Sequence, residues 1–247
     1  MSANTFSLSA KTVRLVLIVW VTFVTVLGAA AHYVITQIVP GMDEQLGRGV
    51  ARAMKVIGLE GEPALQHWYS SLALFACCLL LGYIAIAYKR RGEESRAWAL
   101  LGVLFGYLAL DEGIQLHEIV SGPARHWLGV GDSLAFAWVV PYAVFAIIIG
   151  LASIRFLLRI DRQTGRLFFI AGVIFCTGAL GVETLGGITF VSGGESVASL
   201  QYLFFTSLEE FMEMFAIVIM IYALLSHIER FIGPLTLEFH GSRDDRA

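Results

Sequence analysis

Three apolar stretches of the sequence contain carboxyl groups where a membrane helix would be expected to have none. The stretches are LALDEGIQLHEIV (108–120), GALGVETLGG (178–187) and SLEEFMEMF (207–215). Their ionisable residues are Asp111, Glu112, His117, Glu118, Glu183, Glu209, Glu210 and Glu213. Because an ionisable group within a membrane helix is costly, such groups usually mark a functional site.

The crowding of like charges indicates the chemistry of this site. Carboxylates that share a medium of low dielectric cannot all stay ionised, so they take up protons or bind a cation. No Lys or Arg occurs beside them in these stretches. We expect a divalent metal ion such as Fe, Mn or Zn, because carboxylate and imidazole groups suit such ions. The expected ligands are Glu112, His117, Glu118, Glu183, Glu209, Glu210 and Glu213, with Asp111 and His32 as further candidates.

Carboxylate-bridged metal proteins provide a template for this expectation. Di-iron and di-manganese bundles take carboxylates and histidines from four helices, often as Glu-x-x-His pairs. This sequence has no such pair among these acids, since His117 follows Glu112 by five positions. His117 is also the candidate catalytic residue, since imidazole shuttles protons near neutral pH. Two alternatives use the same acids: a proton or cation pathway, and hydrogen bonds that only lock helices together.

The elements that must position these acids follow from composition. The chain has 247 residues, of which 57% are hydrophobic and 15% are charged, and its mean hydropathy is +0.74. A soluble domain of this length would carry more polar surface, so we expect an all-α integral membrane protein. Six stretches are long enough to cross a hydrocarbon layer of about 30 Å. The predicted spans are 14–38, 69–88, 97–119, 133–157, 167–190 and 202–226.

The basic residues predict the orientation. Six spans place both termini on one side, and that side collects 13 of the 17 Lys and Arg residues. Since cytoplasmic loops carry an excess of Lys and Arg, both termini are expected in the cytoplasm. The bilayer is therefore the expected partner, and a net charge of -3 argues against nucleic acid.

With this orientation, four spans place a polar group at one level. Glu112, Glu183, Glu209 and His32 each lie about seven residues from the outer end of their span. At 1.5 Å per residue, this level is roughly 10 Å below the outer surface. The small residues around Glu183 also suggest that the fifth span is the central helix, since small residues let helices approach closely.

The remaining segments are less informative. The outer loop 40–68 contains an amphipathic stretch, expected to lie along the membrane surface. Residues 231–247 form a cytoplasmic tail. The first span has an alternative reading as a secretory signal, because GAAA follows its apolar run. His67 fits an interfacial position at the start of the second span, and His227 is expected to be solvated.

The motifs together resemble an uncharacterised family of bacterial multipass membrane proteins. That family's pattern is LDExxxxHE, an aromatic helix start ending in Pro, GxxGvE and EExxEM. The sequence has LALDEGIQLHE (108–118), AWVVP (137–141), GALGVE (178–183) and LEEFMEM (208–214). The resemblance covers about residues 97–226. It implies a prokaryotic inner-membrane protein and selects the same acids, but it implies no activity.

Three functions fit these observations. The first is a metal-dependent membrane enzyme acting on a lipid or another small molecule at the outer face. The second is a transporter or channel that moves protons or cations through the acidic region. The third is a non-catalytic subunit of a membrane assembly. The sequence leaves the substrate, the metal and the oligomeric state open.

Overall fold

The computed structural model describes residues 4–7, 9–58, 65–129, 136–194, 196–233 and 236–239. Within these ranges the chain is almost entirely helical. The α-helices are α1 (Ala10–Tyr33), α2 (Glu44–Lys55), α3 (Leu65–Arg90), α4 (Arg96–Ile114), α5 (Leu116–Leu128), α6 (Val139–Arg159), α7 (Arg162–Cys176), α8 (Glu183–Ser192) and α9 (Leu200–Phe231). A π-helical turn and a 3-10 turn extend α1 to Gly41, and a second π-helical turn, Thr177–Val182, joins α7 to α8.

Six of the helical segments are long and apolar enough to cross a membrane. They are Ala10–Gly41, Leu65–Arg90, Arg96–Ile114, Val139–Arg159, Arg162–Ser192 and Leu200–Phe231. The number and order of the predicted spans agree with these segments. The predicted third span is too long, because α4 ends at Ile114 and not near residue 119. The predicted start of the fourth span, 133, lies outside the described residues.

The central helix is α9 and not the predicted fifth span. Of the apolar window of α9, 67% is buried inside the protein, against 22% for Arg162–Ser192. Helix α9 packs against α1, α3, α7 and α8, and its buried side chains include Met214, Ile217, Leu224 and Ile228. The small residues of the fifth span therefore serve close packing against α9, not a central position.

The close approach between the fifth span and α9 depends on Gly178. A Cβ atom on Gly178 would lie 3.1 Å from the Cβ of Met212 and 3.4 Å from the carbonyl oxygen of Glu209. Both distances are at or below ordinary van der Waals contact, so a side chain here would separate the two backbones. Since Glu183 follows five residues later, this contact places its carboxyl group beside α9.

The two terminal segments meet. Strand β1 (Asn4–Ser7) pairs antiparallel with strand β2 (Thr236–Phe239), and Asn4 lies opposite Phe239. An even number of long helices returns the chain to the side from which it started. The pairing of β1 with β2 shows that both ends lie on the same side of the molecule.

The amphipathic stretch of the loop 40–68 forms α2. Asp43 caps this helix, because its carboxylate accepts hydrogen bonds from the backbone N–H groups of Gln45 and Leu46. Leu46, on the apolar face of α2, is 61% exposed. Residues 59–64 of the predicted loop lie outside the described residues.

A buried polar network ties together the ends of α3, α7 and α9 nearest the termini. His227 is only 2% exposed, so the expectation that it is solvated is wrong. Its Nε2 is 3.0 Å from the hydroxyl of Tyr88, and its Nδ1 is 3.1 Å from the hydroxyl of Thr164. Arg230 donates to Thr164 and forms an ion pair with Asp161 at 2.8 Å. With both ring nitrogens paired, His227 has a structural role.

Candidate functional site

The predicted third span breaks at Gln115. The φ angle of this residue is 52°, in the left-handed region of the backbone that residues other than glycine rarely adopt. Helix α5 starts immediately afterwards, and the carboxylate of Asp111 accepts a 2.8 Å hydrogen bond from the backbone N–H of His117. Asp111 therefore satisfies a free N–H of the first turn of α5. The change of direction brings His117 back over the end of α4.

Asp111 also positions the imidazole of His117. The Nδ1 of His117 is 3.2 Å from Oδ2 of Asp111. The hydroxyl of Tyr142, on α6, donates to Oδ1 of Asp111 at 2.9 Å, and the hydroxyl of Tyr107 is 2.9 Å from that of Tyr142. Trp138 packs against the imidazole with a centroid distance of 4.5 Å. Residues from α4, α5 and α6 thus hold one ring in a defined orientation.

The surroundings favour the charged form of His117. Burial by itself lowers the pKa of this imidazole. The hydrogen bond to Asp111 and the negative charges of Asp111 and Glu112 raise the pKa by more, so the net shift is upward. His117 is accordingly an imidazole held against a carboxylate that favours its charged form.

A second pair of acids lines the same cavity as His117: Glu183 is on α8 and Glu209 is on α9. The carboxyl groups of Glu183 and Glu209 are hydrogen-bonded to each other. A hydrogen bond between two carboxyl groups requires a proton on one of them, since ionised carboxylates only accept. The hydrogen bond between Glu183 and Glu209 therefore requires that one of the two carboxyl groups carries a proton.

His67 completes the cluster and was not among the predicted ligands. Its Nε2 lies 3.5 Å from Oε1 of Glu210, and Glu210 in turn interacts electrostatically with Glu112. In the sequence, a histidine at the start of a span looks like a residue that anchors the helix at the membrane interface, so the position of His67 did not indicate a functional site. Tyr142 was missed for the same reason, because aromatic residues are common at the ends of membrane helices.

These groups line one cavity of about 840 Å³ between α3, α4, α6, α7 and α9. At one end the lining consists of ionisable and polar side chains, and over the rest of its length it is almost entirely apolar. The ionisable lining residues are His67, Asp111, Glu112, His117, Glu118, Glu183, Glu209, Glu210 and Glu213. Among the described residues, no Lys or Arg contributes to the lining.

The structure brings the seven predicted metal ligands and Asp111 to this cavity, but not His32. The imidazole of His32 is 3% exposed and lies 2.9 Å from the carbonyl oxygen of Val197, away from the cavity lining. Within the described ranges, no three His, Cys, Asp or Glu side chains are arranged as a group that could hold a metal ion. The cluster instead forms contacting pairs, so metal binding stays a prediction.

The fold and the cavity together define a class of protein: a helical protein with six segments of membrane-spanning length and a cavity that is acidic at one end. The chain belongs to the family described as a domain of unknown function (DUF8692), which matches residues 15–228. No curated protein and no solved structure shows significant similarity to the chain.

Proposed function

We propose that this chain is a six-span membrane protein, with both termini in the cytoplasm, that receives an amphipathic molecule in its cavity and transfers protons at the molecule's polar group. One observation carries this proposal: a single cavity joins a cluster of carboxyl and imidazole groups at one end to an apolar lining over the rest. Ligand sites typically combine an apolar lining with a few convergent polar groups.

The orientation is supported by two independent features. The two terminal strands pair, so both ends lie on one side of the molecule. The loops on that side carry most of the Lys and Arg residues, whereas the opposite side has only Arg48, Arg52, Lys55 and Arg125. By the positive-inside rule, the basic side is cytoplasmic. The acidic end of the cavity then lies toward the outer face of a bacterial inner membrane.

His117 is the proposed proton acceptor. In the neutral form of His117, donation of Nδ1–H to Asp111 leaves the Nε2 lone pair available to take up a proton, as in other carboxylate–histidine pairs. The carboxyl pair of Glu183 and Glu209 is the proposed proton donor, because it holds a shared proton. Positioned acid and base groups of this kind contribute about 10²–10⁴-fold to a reaction rate.

The cavity lining supports an acid–base site over an ion pathway. A conducting pathway needs polar groups or water along its whole length, since an ion in an apolar medium is strongly disfavoured. From Leu108 down to Leu101 on α4, and around Phe168 on α7, the described lining is apolar. The acidic groups therefore lie at one end of a cavity whose described lining is otherwise almost entirely apolar.

The shared proton can be tested by infrared spectroscopy. In purified protein reconstituted in lipid vesicles, we expect a protonated-carboxyl C=O band at neutral pH that disappears in the Glu209→Gln variant. The matched control is Glu93→Gln, because Glu93 is exposed and lies outside the cavity; this variant should keep the band. Elemental analysis of the same samples tests the metal ion that the sequence predicts, against the proposal that protons balance the cluster.

Two results would overturn the proposal. Stoichiometric Fe, Mn or Zn, lost in Glu209→Gln and accompanied by no protonated-carboxyl band, would show that a metal balances the cluster. Cation or proton flux across the vesicle membrane that depends on Glu209 would show a transporter.

A further inference from the structure

We propose that the cavity binds a long-chain amphipath with one apolar chain and a non-anionic, hydrogen-bond-donating head group, a hydroxyl or an amine. We further propose that this molecule enters from the bilayer between α4 and α6. The placement of the head group rests on the proposed function, whereas the placement of the chain rests on the apolar cavity alone.

The apolar part of the cavity has the length of a chain site. On α4 it runs from Glu112 to Leu101, eleven residues or roughly 16 Å along the helix axis. This is about half of the hydrocarbon thickness of a bilayer. Ile154 on α6 and Phe168 on α7 line the same region. The volume of about 840 Å³ lies within the range of small-molecule sites, roughly 300–1,000 Å³.

Two glycines keep the apolar part wide. Gly150 on α6 and Gly172 on α7 both line the cavity, and a Cβ atom added to either would meet no atom within 4 Å. In most packed helices, by contrast, a glycine marks a close contact with a neighbouring helix. Here the missing side chains leave open space.

The cavity lining reaches the outer surface of the helix bundle. Helix α4 packs against α3, whereas α6 packs against α7, and near the acidic end the hydroxyls of Tyr107 and Tyr142 join α4 to α6. Further along, the lining includes well-exposed apolar side chains of α6 and α7: Ile147 at 61%, Leu151 at 64% and Phe169 at 64%. In the proposed orientation these residues face the acyl chains. An opening at this depth admits molecules dissolved in the bilayer more readily than molecules from water.

The acidic end determines which head group fits. Asp111 already accepts hydrogen bonds from Tyr142 and His117, which leaves Glu112, Glu210 and Glu213 facing the cavity. Carboxyl groups accept hydrogen bonds and repel anions, and the described lining offers no Lys or Arg to bind a phosphate. A hydroxyl or an amine is therefore favoured over a phosphate or a carboxylate.

Photo-crosslinking with defined probes tests the proposal. The full-length protein in lipid nanodiscs would be irradiated with a long-chain alcohol or a long-chain amine that carries a diazirine in its chain, and the labelled peptides would be mapped. We expect labels on α4, α6 and α7. Gly150→Phe and Gly172→Phe should reduce labelling about tenfold or more, because an inserted ring fills the chain site.

The matched control is Gly122→Phe. A Cβ atom at Gly122 also meets nothing within 4 Å, but Gly122 lies on α5 outside the cavity lining. This variant should label like the wild type. The probe that labels the protein more strongly, the alcohol or the amine, identifies the head group. An excess of a molecule with the same chain and a phosphate head group should not reduce this labelling.

The possible failures are distinguishable. Undiminished labelling in both Gly150→Phe and Gly172→Phe would overturn the chain site, even if the carboxyl band and its loss in Glu209→Gln are found as proposed. Effective competition by the phosphate would overturn the head-group assignment. Loss of the carboxyl band with intact, glycine-dependent labelling would overturn the proposed function and leave the chain site standing.

Discussion

Asp111 and Glu112 are adjacent acids with different roles. The carboxylate of Asp111 accepts hydrogen bonds from the backbone N–H of His117 and the hydroxyl of Tyr142, and it contacts Nδ1 of His117. Its acceptor capacity is thus largely used within the protein. Glu112 lines the same cavity and interacts with Glu210 and His67 through charge. Asp111 is therefore a positioning residue, and Glu112 remains available to a ligand.

We expect Asp111→Asn to disturb the imidazole of His117 more than the backbone. The amide oxygen can still accept the backbone N–H of His117, but the amide nitrogen cannot accept from Nδ1. At a pH where the imidazole is neutral, nitrogen-15 NMR of labelled histidine should show the Nδ1–H tautomer of His117 in the wild type and a mixture of tautomers in the variant. Stability should fall by about 1–3 kcal/mol, the usual cost of losing a hydrogen bond to a charged group.

The signal of His126 is the internal control for this experiment, because His126 is outside the cavity lining. An unchanged His117 signal in Asp111→Asn would contradict the positioning role. We do not expect Asp111→Glu to restore the wild-type signal of His117, because the longer side chain would move the carboxylate away from the start of α5.

The cluster residues were predictable one by one because charge within an apolar run is conspicuous. Their partners were not. His67 and Tyr142 lie at helix starts, where polar aromatic side chains are ordinary, and only the packing of α3 and α6 turns them toward Glu210 and Asp111. His32 does not line the cavity although it lies at a similar depth, because equal depth on a helix does not specify which face the side chain occupies.

At the scale of helices, the contact between the turn Thr177–Val182 and α9 controls the acid pair. Gly178 lies against Met212 and against the backbone of Glu209. The π-helical geometry of this turn shifts the helical phase by one residue, so Glu183 faces α9. The sequence showed small residues here, but it could not show a local change of helical pitch.

Gly178→Ala should therefore destabilise the protein by about 1–3 kcal/mol, the usual cost of an overpacked contact. It should also weaken the protonated-carboxyl band, because Glu183 and Glu209 would move apart. Thermal unfolding and infrared spectroscopy of the same sample measure the two effects.

Gly181→Ala is the control for this substitution. A Cβ atom there would lie 3.9 Å from the nearest atom, the Cγ2 of Thr177, which is an ordinary contact. This variant should be close to the wild type in both measurements. Equal behaviour of the two alanine variants would show that the approach at Gly178 does not position Glu183.

On the scale of the whole molecule, the acidic cavity and the network of His227 lie at opposite ends of α9. Six apolar segments in the right order followed from hydropathy alone, because length and composition decide whether a helix can cross a membrane. The central position of α9 did not follow from hydropathy, because the mean hydropathy of a buried helix is similar to that of a lipid-facing helix. Pairwise packing, which the sequence does not display, decides between them.

Acid should loosen the end of the molecule held by Asp161 and Arg230. Burial is the largest single influence on Asp161 and by itself raises its pKa, but the hydrogen bonds from Thr164 and Arg230, together with the charge of Arg230, lower the pKa by more. A lowered folded-state pKa stabilises the protein above the unfolded-state pKa of about 4. This stabilisation is lost as the pH falls through and below that value.

The wild-type unfolding temperature should therefore decrease more steeply on acidification than that of Asp161→Asn. The effect should be modest, because both side chains are partly exposed and solvent screens the pair. Glu93→Gln should follow the wild-type curve. Parallel curves for the wild type and Asp161→Asn would show that the ion pair does not contribute.

Helix α6 forms one wall of the cavity while only 6% of its apolar window is buried. Most substitutions along this wall would thus leave the core packing around α9 intact, and they would also leave the acids and His117 in place. Under the proposed function, reactivity and selectivity are therefore separate: we expect that exchanging side chains on one peripheral helix would change which chains are accepted without altering the groups proposed to transfer protons.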